Sequence, residues 1–116
     1  MTNSRQKGAR GEREWAAELR RLGFDGARRG QQFSGSPDSP DVADGIPGTH
    51  PEVKRVERLN LQDAMDQAVR DAGDAIPYVA HRRNRSDWLV TLRASDMLDF
   101  AERLLQGLEQ HGSHDG

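Results

Sequence analysis

Apolar residues recur along the chain at helical spacing in three separate segments. Each segment repeats at intervals of three and four residues, which places its apolar side chains on one face of a helix. The predicted helices run from Ser4 to about Leu22, from the cap Asn60 to Gly73, and from the cap Ser95 to about Gln110. Their expected apolar faces are Trp15, Ala16, Leu19 and Leu22, then Leu61, Met65, Ala68, Val69 and Ala72, then Leu98, Ala101, Leu104, Leu105 and Leu108.

Shorter apolar runs between these helices predict five strands. The first covers 24–29, two more lie within the stretch 39–54, and the last two cover 76–81 and 87–92. A helix between the third and fourth strands favours a right-handed crossover and a sheet of mixed strand direction. We therefore expect an α/β fold, a mixed five-stranded sheet flanked by helices in the order α-β-β-β-α-β-β-α.

The composition bounds the class of protein. The 116 residues suggest one domain over 1–110, followed by a short tail, 111–116, that we expect to be disordered. Hydrophobic residues make up only 34% of the chain, so the core should be thin and can be completed by a second chain. Cysteine is absent, which excludes disulfides and thiolate metal sites. No signal region or membrane span is found in the sequence, so we expect a soluble cytoplasmic protein with no membrane partner.

The net charge of -2 conceals blocks of opposite sign. Residues 1–29 hold eight Lys and Arg against four Asp and Glu, and residues 79–93 hold four against one. Residues 94–116 reverse the balance, with one against five. Basic segments around an acidic centre suit a protein that binds nucleic-acid phosphates, although an ordinary solvated surface would show the same pattern.

The stretch 39–54 carries the strongest chemical signal. Its turn-forming pairs predict a strand, a reversal and a second strand, so that Asp41 can lie beside Glu52. Side chains alternate across a strand, which places Glu52, Lys54 and also His50 on one face and Val53 on the other. We interpret His50 as a neighbour of the site and not as a ligand. Neighbouring carboxylates repel unless a cation lies between them, and Mg²⁺ prefers such oxygen ligands. A bound cation would activate water for attack on a phosphodiester, with Lys54 assisting, although a hairpin with charged outward faces is also consistent.

Glu12 is the second candidate carboxylate. It precedes Trp15 by three residues and Ala16 by four, so it lies on the inward stripe of the first helix, whereas Glu14 and Glu18 fall elsewhere. A carboxylate that faces a core is costly unless a positive group meets it. A glutamate near a helix start is also favoured by the helix dipole, so the position alone supports either interpretation.

These motifs together resemble the PD-(D/E)XK, or restriction-endonuclease-like, nucleases, and among them the archaeal-type and phage-encoded Holliday junction resolvases. The resemblance covers roughly residues 6–92 and is carried by three motifs in order: Lys7-Gly8-Ala9-Arg10-Gly11-Glu12-Arg13-Glu14, Pro40-Asp41-Val42 and Glu52-Val53-Lys54. It implies a restriction-endonuclease-like core and a Mg²⁺-dependent endonuclease on branched or duplex DNA, with Mn²⁺ able to substitute. It also implies a homodimer and no nucleotide cofactor.

The resemblance assigns roles residue by residue. Glu12, Asp41 and Glu52 correspond to metal ligands, with the Val53 carbonyl as a further ligand, and Lys54 corresponds to the catalytic lysine. The expected DNA contacts are Lys7, Arg10, Arg28, Arg29, Ser34, Ser36, Arg82, Arg83 and Arg85. Two alternatives remain open from the sequence: a nicking or repair nuclease on duplex, flap or mismatched DNA, and a non-catalytic DNA-binding module of the same fold.

Overall fold

A computed structural model describes residues 4–29 and 42–112 of the chain. These residues form an α/β domain with three helices and five strands, in the order expected from the sequence. The elements are α1 (Ser4–Leu22), β1 (Arg28–Arg29), β2 (Val42–Ala43), β3 (Thr49–Arg55), α2 (Leu61–Ala72), β4 (Ile76–Arg82), β5 (Leu89–Leu92) and α3 (Met97–Gly112), with a single 3₁₀ turn (Ala94–Asp96) before α3. None of the helices in the described part has the length and apolar content needed to cross a bilayer.

The main sheet has three strands in the order β3-β4-β5. β3 and β4 are parallel, with Glu52 opposite Val79, because α2 connects them as a crossover. β5 returns antiparallel to β4, with Thr91 opposite Val79. The sheet is therefore mixed, as the sequence predicted.

The prediction of one five-stranded sheet is not met by the described residues. β1 and β2 pair only with each other, through Arg28 opposite Ala43 and Arg29 opposite Val42. The turn after β2 contains two residues with positive φ, Asp44 at 58° and Gly48 at 70°. This turn carries the chain out of the β1–β2 ladder before β3 begins, so β2 is not aligned along β3 over the described residues.

The larger core lies on the face of the sheet covered by α1 and α3. Its centre is an aromatic group in which Trp15 Nε1 donates a hydrogen bond to the Tyr78 hydroxyl at 3.1 Å, and the Phe100 ring meets Tyr78 edge-on at 5.3 Å. Burial raises the pKa of the Tyr78 hydroxyl above its ordinary range. The buried residues of this core are Trp15, Ala16, Leu19, Phe24, Ala27, Val42, Ile46, Val53, Tyr78, Ala80 and Phe100.

The opposite face of the sheet is covered by α2. Ala64, Met65 and Ala68 pack there on Val79, which points away from the aromatic core. The helix begins at the predicted cap, where Asn60 Oδ1 accepts a hydrogen bond from the Asp63 backbone N–H at 3.1 Å. Strand β3 therefore presents Val53 to one helical layer and its alternate residues to the other.

The predicted apolar faces of α1 and α3 are partly wrong. Leu22, expected on the inward stripe of α1, is exposed. On α3, Leu98 and Leu105 are 80% and 63% exposed, whereas Phe100 and Gly107 are buried. Two contacts set the phase of α3: Phe100 stacks on Tyr78, and Gly107 lies so near Phe24 that a Cβ would come within 2.6 Å of that ring. An aromatic contact and a close helix approach therefore outweigh the leucine periodicity.

Candidate functional site

Strand β3 places His50, Glu52 and Lys54 on the face that α2 covers. Val53, between the last two, is buried in the opposite core, as strand alternation requires. The register with β4 puts Glu52 opposite Val79 and Lys54 opposite His81. The predicted sharing of one face by these three side chains is confirmed.

Glu52 is a buried carboxylate with an ammonium beside it. Its side chain is only 8% exposed, and its Oε1 lies 3.4 Å from Lys54 Nζ. Transfer of a carboxylate out of water is costly unless it is paired, so the lysine offsets part of that cost. Lys54 is itself 31% exposed, which leaves one side of the pair open to solvent.

Helix α2 brings a third potential ligand, Asp71, to the same place. The ligand atoms of His50, Glu52 and Asp71 all lie within 4.8 Å of one another. Ligands about 2.1 Å from a shared ion lie about 3 to 4.2 Å apart in an octahedral arrangement, so a small rotation of the exposed Asp71 side chain would close the group. Among the described residues, these are the histidine and carboxylate side chains close enough together to share a metal ion.

The two remaining carboxylates of the predicted site, Glu12 and Asp41, are not members of the His50–Glu52–Asp71 group. Glu12 is half-buried on α1. At its neighbour Gly11, an added Cβ would lie 3.3 Å from Arg55 Cβ and 3.6 Å from the Val53 side chain. Helix α1 thus packs on β3 at Gly11, and the His50–Glu52–Asp71 group does not include Glu12. Asp41 lies outside the described residues. The convergence of Glu12, Asp41 and Glu52 stays a prediction.

Glu14, one turn along from Gly11, has a structural role. Its Oε2 accepts a hydrogen bond from Arg55 Nε at 2.7 Å and lies 3.8 Å from Arg82 Nη1. The Arg82 guanidinium also lies 6.0 Å from the Trp88 ring centroid. Arg82, a predicted DNA contact, is therefore held by an ion pair and an aromatic ring within the fold.

Two of the other predicted DNA contacts, Arg10 and Arg28, form ion pairs within the fold. Arg10 and Arg28 are exposed, but Arg10 Nε bonds Glu14 at 3.3 Å and Arg28 Nε bonds Asp44 at 3.2 Å. Both pairs are solvent-exposed and weak, so phosphates can compete for these arginines. Ser34 and Ser36 lie outside the described residues, and the side chains of Lys7 and Arg29 are likewise not among those described.

Arg83 and Arg85 are the exposed basic residues of the turn between β4 and β5. Arg85 occupies a left-handed conformation with φ of 59°, as residues of tight turns often do. The side chains of Arg83 and Arg85 are therefore open to solvent, and their contact with DNA stays a prediction.

The sequence interpretation did not include Asp71, although its helix phase pointed to it. Asp71 follows Ala68 by three residues and Ala64 by seven, so it continues the row of α2 that faces the sheet. His50 was predicted to share the face of Glu52, but only as a neighbour of the site. Helix phase marks Asp71 as a residue that faces the sheet, but which strand residues it meets depends on how α2 lies across the sheet.

A cleft of about 600 Å³ lies apart from this group. It is lined by the turn between β2 and β3, together with Leu19, Pro51 and Tyr78, and its lining includes neither Glu52 nor Lys54. Its walls offer few ionisable groups, so the chemistry of the described residues is concentrated on the α2 face of β3.

On that face, two carboxylates and an imidazole can hold a divalent cation, and an ammonium can stabilise charge next to it. Such a combination is suited to hydrolysis of a phosphate ester. Comparison with protein-family models, curated proteins and solved structures found no match to this chain.

Proposed function

We propose that this protein is a metal-dependent DNA endonuclease with a restriction-endonuclease-like core, acting on branched DNA such as four-way junctions. The observation that carries the proposal is the Glu52–Lys54 pair, a buried carboxylate 3.4 Å from a partly exposed ammonium on adjacent same-face positions of β3. Hydrolysis of a phosphodiester needs both groups, one to hold a cation and one to stabilise the charge that develops on the phosphate.

In the proposed reaction, the carboxylates bind the metal ion and Lys54 stabilises the phosphate. Glu52 binds the cation together with Asp41 and Glu12, and the Val53 carbonyl adds a ligand. When bound, Mg²⁺ lowers the pKa of water and neutralises phosphate charge. Water would attack the phosphorus in line, losing a proton to solvent, as the bond to the 3′ oxygen breaks and that oxygen takes up a proton to leave as a hydroxyl. Lys54 would donate a hydrogen bond to a non-bridging phosphate oxygen in this step. The resemblance to the resolvases implies products with 5′-phosphate and 3′-hydroxyl ends.

The substrate proposal rests on the charge distribution and on symmetry. Exposed arginines at the β4–β5 turn and on α1 and β1 can track phosphates around a central acidic site. A four-way junction has near-twofold symmetry and requires two paired cuts, which a symmetric homodimer would provide. Because the same metal site could also cut flap or duplex DNA, the preferred substrate has to be measured by comparing these DNAs with the junction.

The decisive experiment compares cleavage of a labelled four-way junction, a flap and a linear duplex in Mg²⁺ by the wild type, Lys54→Gln and Glu52→Gln. We expect the wild type to cut the junction. Both variants should cut it at least about 100-fold more slowly, because each removes charge stabilisation at the reacting phosphate. Glu109→Gln, an exposed change of the same kind on α3, should cut at the wild-type rate.

Each other outcome selects an alternative. Faster cleavage of flap or duplex than of junction would indicate a nicking or repair nuclease. Binding of branched DNA without cleavage of any substrate, even at enzyme excess, would indicate a non-catalytic DNA-binding module. Cleavage unaffected by Glu52→Gln and Lys54→Gln would rule out this site.

A second comparison tests the predicted convergence of three carboxylates. Glu12→Gln and Asp41→Asn should each abolish Mg²⁺-dependent cleavage. Glu18→Gln is the appropriate control, because Glu18 pairs with Arg21 on the surface, whereas Glu14 connects α1 to Arg55 and Arg82. Equal small effects of Glu12→Gln and Glu18→Gln would show that Glu12 is not a ligand.

A further inference from the structure

We infer that His50, Glu52 and Asp71 form a binding site for one divalent transition-metal ion between β3 and α2, with affinity falling in the order Zn²⁺, Mn²⁺, Mg²⁺. The site goes beyond the proposed nuclease, because it recruits His50 and Asp71 and can be measured without DNA. Glu52 is common to both.

The fold itself brings the three ligands together. α2 crosses from the end of β3 to the start of β4, so its final turn lies over the beginning of β3. Ala64 and Ala68 fix the helix against Val79, the residue opposite Glu52. Asp71 follows on the same row of the helix and reaches His50 and Glu52, whose ligand atoms lie within 4.8 Å of its own.

The charges at this position favour a cation. Two carboxylates meet there: Glu52 lies 3.4 Å from the Lys54 ammonium, whereas Asp71 has no ion pair with another described residue, so its charge is left to be balanced. Asp71 also lies in the last turn of α2, where the carbonyl ends of the helix carry partial negative charge. The negative end of the helix and the unbalanced carboxylate therefore both favour a bound cation.

The imidazole determines which cation is preferred. Mg²⁺ prefers oxygen ligands and retains several waters, whereas imidazole suits Zn²⁺ and other transition metals. His50 and Glu52 are nearly buried and held by the strand, which gives the ion two fixed ligands of different chemistry. Asp71 and the partly exposed Lys54 leave a solvent side at which water can complete the coordination.

The test uses the full chain, freed of metal by chelation, titrated separately with Zn²⁺, Mn²⁺ and Mg²⁺ by calorimetry. We expect one Zn²⁺ per chain, with Mn²⁺ weaker and Mg²⁺ weakest. Asp71→Asn should weaken Zn²⁺ binding by at least about tenfold, since loss of even an indirect ligand contact typically costs that much. Asp66→Asn on α2, whose carboxylate only accepts a bond from Gln62, should bind as the wild type does.

A spectroscopic measurement checks the identity of the ligands. Electron spin-echo spectra of bound Mn²⁺ should show imidazole nitrogen coupling that disappears in His50→Gln and persists in His81→Gln. Circular dichroism of each variant verifies that it is folded. Zn²⁺ binding unchanged by Asp71→Asn, or lost only when His111 and His114 are replaced, would overturn the inference.

The two proposals fail in different ways. Metal binding with no DNA cleavage by the wild type would overturn the nuclease and leave the metal site intact. Mg²⁺-dependent cleavage that survives Asp71→Asn, in a chain that binds no Zn²⁺, would leave the nuclease intact and remove the His50–Glu52–Asp71 site.

Discussion

At the scale of single residues, His81 gives the fold a dependence on pH. Its imidazole is partly buried on β4, with Nε2 2.9 Å from Thr91 Oγ1, and desolvation by burial lowers its pKa below the ordinary value of 6.5. The unfolded chain then binds a proton more readily than the folded chain between the two pKa values. The stability that His81 contributes is therefore complete above pH 6.5 and is lost as the pH falls toward the folded pKa.

We expect His81→Gln to reduce the loss of thermal stability between pH 7.5 and pH 5.5. The measurement is the unfolding midpoint followed by circular dichroism at both pH values, with His111→Gln near the C-terminus of α3 as the control. Parallel loss of stability in the wild type and in His81→Gln would show that burial of this imidazole does not affect stability.

Residue-level rules predicted about half of the candidate site. Strand alternation alone placed His50, Glu52 and Lys54 together, because the strand period of two is rigid. It could not supply Asp71, since that contact depends on how α2 lies across the sheet. The position of Asp41 relative to Glu52 depends in the same way on a segment outside the described residues.

At the scale of elements, the N-terminal cap of α2 contributes to the stability of the helix that carries Asp71. Asn60 Oδ1 accepts a hydrogen bond from the Asp63 backbone N–H at 3.1 Å, which satisfies one of the free donors at the helix start. Asn60→Ala should lower the free energy of unfolding by about 1 kcal/mol, measured by urea denaturation. Asn60→Ser keeps a capping oxygen and should remain within a few tenths of a kcal/mol of the wild type; an equal loss in both would exclude capping as the cause.

The elements also show where periodicity fails as a guide. For α2, the predicted cap and the burial of Met65 and Ala68 hold, because one sheet face covers a single row of the helix. For α3, leucine spacing predicted the inward face only in part: Leu104 packs against the core, whereas Leu98 and Leu105 are exposed, because Phe100 packs on Tyr78 and Gly107 approaches Phe24. Such contacts join residues far apart in sequence, so the local spacing of apolar residues cannot predict them.

At the scale of the whole molecule, the small net charge of -2 divides into regions of opposite sign. Arg83 and Arg85 of the basic turn between β4 and β5 are exposed to solvent, whereas the charged residues of α3 are mainly acidic: Asp99, Glu102 and Glu109 against Arg103. Arg82 belongs to the same run of sequence but is held by Glu14 and Trp88. If DNA binds at this turn, the affinity should depend on Arg83 and Arg85 more than on arginines elsewhere.

We expect the double change Arg83→Gln/Arg85→Gln to weaken binding of branched DNA and to flatten its dependence on salt. Each lost phosphate contact reduces the slope of log K against log salt concentration by about 0.9, so two contacts remove about 1.8. The control is Arg70→Gln/Arg103→Gln, which makes the same change in net charge at exposed positions of α2 and α3. Both are compared by fluorescence anisotropy from 50 to 200 mM salt, a range in which protein–DNA affinities change by orders of magnitude. Because total charge is matched, equal slopes in the two doubles would attribute the attraction to overall charge and remove the β4–β5 turn from the DNA-binding surface.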